Sequence, residues 1–128
     1  MDKDKERLMG LLDLQNKLID KFGENDYNVF IFGSYITHAY IAGKSDIDVA
    51  VYAEDFKKYL QISVFIEEYF NNLGVEQDIF FVNTLMPAPI FCAALESPIT
   101  LTDYYPQKLS DFYARCKNQQ ATIKEESA

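Results

Sequence analysis

Val29-Phe30-Ile31-Phe32-Gly33-Ser34, then eleven residues, then Asp46-Ile47-Asp48-Val49-Ala50-Val51-Tyr52: these two apolar runs decide the reading of the chain. The first has the length and the aromatic, β-branched content of a buried strand, and it ends in Gly-Ser. Ser34 is suited to cap a following short helix, so its hydroxyl and nearby backbone N–H groups would form an anion site. In the second run a period of two sends Asp46, Asp48, Ala50 and Tyr52 to one face and Ile47, Val49 and Val51 to the other. Two carboxylates side by side on a buried strand repel and are costly to desolvate unless a divalent cation sits between them. A phosphate cradle then faces a metal site across one short insert, a layout for phosphoryl or nucleotidyl transfer.

Outward from these runs the elements alternate. Upstream, residues 3 to 22 predict a helix with Leu8, Leu11/Leu12, Leu18/Ile19 and Phe22 on its apolar stripe and Gly23 as its stop. Downstream, Glu54 or Asp55 opens a helix to residue 72, whose stripe reads Phe56, Tyr59/Leu60, Ser63, Ile66, Phe70 and Leu73. A strand over 77–82 brings in Asp78. Pro87 and Pro89 fit the first turn of a helix to residue 95. A short strand follows at Ile99–Thr102, and Asp103 with Pro106 opens a last helix to residue 119. The polar end, Thr122 to Ala128, is expected to fray. The order is α-β-α-β-α-β-α-(β)-α, in one domain spanning 1–128. Periodicity alone leaves a doubly wound parallel sheet open.

Composition narrows the function. Twenty acidic against twelve basic side chains give a net charge of −8, which argues against direct nucleic-acid binding and suits a cationic protein partner, or simply solubility. No apolar run approaches the ~20 residues of a membrane span, so a cytoplasmic protein is expected. Cys92 and Cys116 have no CxxC spacing and are expected as free thiols. With a single histidine there is nothing to build a zinc site.

Gly33-Ser34, the eleven-residue gap and Asp46-Ile47-Asp48 resemble the Gly-Ser…Asp-x-Asp signature of the polymerase-β-type nucleotidyltransferases. The short chain is similar to the minimal nucleotidyltransferases (MNT), the antitoxin halves of HEPN–MNT toxin–antitoxin pairs. Asp78, in Glu76-Gln77-Asp78-Ile79-Phe80-Phe81-Val82, occupies the place of that family's third aspartate. Two departures stand out: the gap is usually ten residues, and Tyr35-Ile36-Thr37-His38 replaces a small-Arg-Gly arrangement after the serine. The resemblance implies an α/β (α+β) nucleotidyltransferase fold, a small mixed sheet backed by helices, with core motifs over 28–82 and C-terminal helices over 87–119. It implies ATP as substrate and two Mg²⁺ ions on Asp46, Asp48 and Asp78. Asp78 would also receive or orient the acceptor's proton, and Gly33, Ser34 and Ser45 would contact the nucleotide. The implied activity is transfer of AMP to a hydroxyl, that of a tyrosine, on a HEPN ribonuclease toxin, within a hetero-oligomeric antitoxin complex.

Other readings stay open at this stage. His38, Tyr35, Tyr40 and Lys44 of the insert are either ordinary surface and packing residues or contacts to phosphate, base or acceptor. The protein is alternatively a non-catalytic antitoxin with a degenerate nucleotide pocket, or a nucleotidyltransferase acting on a small hydroxylated molecule.

Overall fold

The computed structural model describes residues 3–127. Its elements are α1 (Lys3–Phe22), β1 (Tyr27–Phe32), a 3₁₀ turn (Gly33–Ile36), β2 (Ile47–Ala53), α2 (Phe56–Asn72), β3 (Gln77–Phe81), α3 (Ile90–Leu95), β4 (Ile99–Thr100) and α4 (Gln107–Ser127). The sheet has the order β3-β2-β1-β4. β2 runs antiparallel to β1 and parallel to β3, while β4 is antiparallel to β1. The mixed sheet removes the doubly wound alternative. The insert after β1 holds only a 3₁₀ turn and no crossover helix, and the chain returns antiparallel; only the α2 connection carries a parallel crossover.

Alternation along β1 and β2 feeds two cores. Val29, Ile31, Ile47, Val49 and Val51 pack with Leu11, Leu14 and Leu18 of α1 and Ile62, Ile66 and Phe70 of α2. Phe30, Phe32, Ala50 and Tyr52 pack on the other face with Phe91 and Cys92 of α3 and Leu109, Phe112 and Cys116 of α4. Helices therefore cover both faces, and β1 is buried throughout. Asn28 is the polar exception on β1. Its amide donates to Tyr104 C=O at 2.8 Å and accepts from Thr102 N–H at 3.2 Å, tying the 102–104 loop to the sheet.

Several expectations shift. The buried stripe of α1 runs through Leu11, Leu14 and Leu18, leaving Leu8 and Leu12 exposed. That of α2 uses Ile62 in place of Leu60, and Phe56, Leu60, Val64 and Leu73 are exposed. Leu11, Leu18, Ile66 and Phe70 are buried as expected; both helices carry more apolar residues than one face can bury, so periodicity alone does not exclude the others. α2 begins after Asp55 as expected, whose carboxylate accepts from Lys57 N–H. β4 is only two residues long. α4 continues to Ser127 rather than stopping at residue 119, so the expected fraying of Thr122 onward is overturned through Ser127. Polarity there does not oppose helix: Gln and Lys propagate it, and the Thr122 hydroxyl donates back to Asn118 C=O at 3.0 Å. Ala128 lies outside the described residues. Among the described residues, no helix is long and apolar enough to cross a membrane.

Candidate active site

The site forms where β1 ends and β2 and β3 begin. Antiparallel register sets Asp48 opposite Phe32, and parallel register sets it opposite Asp78. Register partners share a face, so the two carboxylates are cross-strand neighbours on the side of Ala50 and Tyr52. Asp48 is half-buried and Asp78 exposed. Asp46 lies one residue before β2, half-buried, rather than within the strand as expected. Pairing starts only at Ile47, whose N–H donates to Glu76 C=O at 2.9 Å.

Gly33 closes the site from the β1 side. Its φ is +78°, a region costly for residues with a Cβ. A Cβ there would also stand 2.2 Å from Asp48 Oδ2. The residue therefore meets two demands at once: a left-handed turn out of the strand, and close approach of the backbone to a carboxylate. Burial pushes the Asp48 carboxyl above the usual aspartate range, and the charges of Asp78 and then Asp46 push it further. Like charges thus converge on one half-buried oxygen pair. Among the described residues, no three His, Cys, Asp or Glu side chains are already gathered closely enough to hold a metal ion. The donor chemistry and the space that Gly33 leaves fit a hard cation such as Mg²⁺, held by one or two of these carboxylates with further oxygens from a nucleotide.

The expected nucleotide contacts fall out unevenly. Ser34 does not cap the turn. The cap position is Phe32, with no side-chain hydrogen bond, and Ser34 lies inside the turn, its carbonyl accepting from the Thr37 N–H and hydroxyl, both at 2.9 Å. Its own hydroxyl makes no hydrogen bond among the described residues, which leaves it available at the mouth of the site. The Ser45 hydroxyl accepts from Ile41 N–H at 3.1 Å and so helps close the 41–45 turn. Tyr35 is core: its ring packs edge-on against Tyr40 at 4.9 Å and Phe70 at 6.1 Å. His38 is 94% exposed and paired with Asp4. Lys44 is exposed.

One residue escaped the sequence reading. Arg7 of α1 reaches under the insert, donating from Nε to Tyr35 C=O at 3.1 Å and from Nη2 to Thr37 C=O at 2.8 Å. A signal existed. Arg7, Leu11, Leu14 and Leu18 follow helical spacing, so the charge extends the buried face by one turn. A cleft of about 350 Å³ lined by Gln15, Asn25, Thr102 and Tyr104 among others lies at the opposite end of the sheet and includes none of Asp46, Asp48 and Asp78.

A family model described as "Nucleotidyltransferase domain" matches residues 13–101. No curated protein matches the sequence. Among solved structures, a mutant form of the toxin–antitoxin complex MntA–HepT is similar over 88% of this chain and 90% of that chain, at 18% identity and a TM-score of 0.53. The MntA–HepT complex itself is similar over 89% and 87%, at 16% identity and 0.50. A tri-AMPylated Shewanella oneidensis HEPN toxin in complex with MNT antitoxin follows over 88% and 87%, at 18% identity and only 0.49. At these identities the likeness carries the fold and nothing finer.

Proposed function

This chain belongs to the nucleotidyltransferase domain family, and we propose that it is an antitoxin that transfers AMP from ATP to a tyrosine hydroxyl of a HEPN toxin. The observation that carries the reading is the Gly33–Asp48–Asp78 arrangement: a carboxylate pair in cross-strand register, with a side-chain-free residue against one member. The family match supports the reaction class. The two toxin–antitoxin complexes of similar fold support the partner class.

In this reading Asp46, Asp48 and Asp78 would hold Mg²⁺, which, when bound, supplies charge stabilisation to the attacking and leaving oxygens of an in-line displacement. Gly33 and the Ser34 hydroxyl, with the backbone around them, bind the phosphates of ATP. Ser45 shapes the loop beside them. Asp78, on an exposed sheet edge, is the carboxylate that an incoming hydroxyl can reach, and it orients or accepts that hydroxyl's proton. The acceptor oxygen forms a bond to the α-phosphorus, pyrophosphate leaves, and the acceptor carries AMP. The exposed Asp78 side and the net charge of −8 fit a macromolecular, basic acceptor surface better than an enclosed small molecule.

The test is the intact mass of the HEPN partner after incubation with this protein, ATP and Mg²⁺, beside the Asp46→Asn/Asp48→Asn protein. An AMP-sized gain with the wild type alone is expected. A stable complex with no gain would overturn the transfer reaction and leave a binding antitoxin.

A further inference from the structure

We propose that Arg7 is a positioning residue for the nucleotide site: from the first turns of α1 it fixes the backbone that carries Gly33 and Ser34. The inference rests on the functional reading above and adds to it a residue outside the 13–101 span that the family model matches.

The geometry is specific. The Arg7 side chain is only 15% exposed and is held on every side. Its fork bonds the carbonyls of Tyr35 and Thr37, groups at the end of the 3₁₀ turn that have few partners within so short an element. Its guanidinium carbon lies 4.6 Å from the Tyr40 ring centroid and 5.6 Å from that of Tyr35. Asp4 Oδ1 pairs with Nη2 at 2.7 Å, and Asp4 Oδ2 pairs with His38. One arginine therefore joins both ends of the segment 35–40 to α1. A planar fork is needed for this, because two carbonyls and two rings are satisfied together, which a lysine ammonium does not reproduce.

The consequence reaches the site through two peptide units. Tyr35 is buried and follows Ser34 directly, so fixing its carbonyl and ring fixes the turn that starts at Gly33. Gly33 in turn must keep a φ of +78° beside the Asp48 carboxylate. The insert itself supplies no arginine, and its only basic residues, His38 and Lys44, are exposed. α1 thus provides from outside the insert the anchoring that the insert lacks.

The experiment uses the full chain as wild type, Arg7→Gln and Arg7→Lys. ATP affinity in Mg²⁺ is measured by titration calorimetry well below each melting transition, with KM and kcat for transfer beside it. Arg7→Gln is expected to weaken ATP binding about tenfold, as when the binding-competent backbone of the turn falls to about a tenth of the population. It should raise KM for ATP with little change in kcat, while Arg7→Lys falls between it and wild type. A lower melting temperature with unchanged ATP affinity and KM would show a merely structural role and overturn the proposal. Should Arg7→Gln not fold, Arg7→Lys decides alone: wild-type affinity in it overturns the proposal, weaker affinity supports it. A wild type that binds no ATP would overturn the functional reading itself, an outcome distinct from unchanged binding in the variants.

Discussion

The Cα of Gly33 lies against the carboxylate of Asp48 so closely that a methyl group on it would meet Oδ2 at 2.2 Å. Gly33→Ala must therefore displace the acid and also adopt a left-handed backbone, which costs about 1–2 kcal/mol for an ordinary residue. A clear fall in melting temperature and near-complete loss of AMP transfer are expected. Wild-type activity in this variant would show that Asp48 is not where the reaction takes place.

Asp48 itself is expected to trade stability for function. Its carboxyl is raised by burial and by the charges of Asp78 and Asp46. A folded-state value above the unfolded one means that the ionised group weakens the fold at neutral pH. Stability is regained as pH falls through the folded-state value and levels off below the unfolded one, near 3.8. Asp48→Asn should melt a few degrees higher than wild type without metal. Added Mg²⁺ should raise the melting temperature of the wild type and leave that of the variant unchanged. Equal Mg²⁺ responses in the two proteins would place the ion elsewhere.

Glu54 anchors the opposite end of the sheet. It accepts from the Tyr104 hydroxyl at 2.9 Å and from Lys108 Nζ at 2.6 Å, and it also pairs with the Tyr52 hydroxyl. Burial pushes its carboxyl up, but the hydrogen bonds from Lys108, Tyr52 and Tyr104 outweigh that and hold it below the usual glutamate range. The stability this contributes is complete above the unfolded value, near 4.5, and is lost as pH falls through the lower folded value. Glu54→Ala should cost about 1–2 kcal/mol at neutral pH, discounted for its partial exposure. Chemical denaturation at pH 7 and pH 3 checks both size and sign: the gap between wild type and variant should close at the lower pH.

Cys92 and Cys116 are both buried in the α3/α4 core. Burial pushes both thiols above their ordinary range. Neither should react with a disulfide reagent in the native protein at pH 7.5, and both should react in denaturant. Rapid native labelling of either would contradict the packing of this core.

Strands β1 to β3, α2 with its Asp55 cap, and the pairing of a Gly-Ser strand end with an acidic strand start were all legible from local pattern. Leu11, Leu18, Ile66 and Phe70 of the expected stripes are buried, whereas Leu8, Leu12 and Leu60 were misassigned because they are as apolar as the buried Leu14 and Ile62. The continuation of α4 was missed because polarity was taken for disorder, although Gln119, Gln120, Ala121, Lys124 and Glu125 propagate helix well. At the site, strand period put Asp48 on the face of Ala50 and Tyr52, while Asp78 was singled out by the family resemblance and not by any local period. Ser34 inside the turn rather than at its cap, and Asp46 ahead of the strand, depend on where pairing begins.

What the sequence determined by itself was the order of the elements, the alternation that sends Val49 and Asp48 to opposite faces, and the residue types that suit a nucleotide and a hard cation. These follow from spacing along one chain, where periods of two and of three to four act within a few residues. Tertiary structure decided the rest: that β2 turns back antiparallel to β1, that Asp78 arrives beside Asp48 thirty residues later, and that Arg7 underlies a loop it precedes by nearly as many. Such contacts depend on which strands pair and in which register, and that is set by how two helix layers share a single sheet rather than by any local preference.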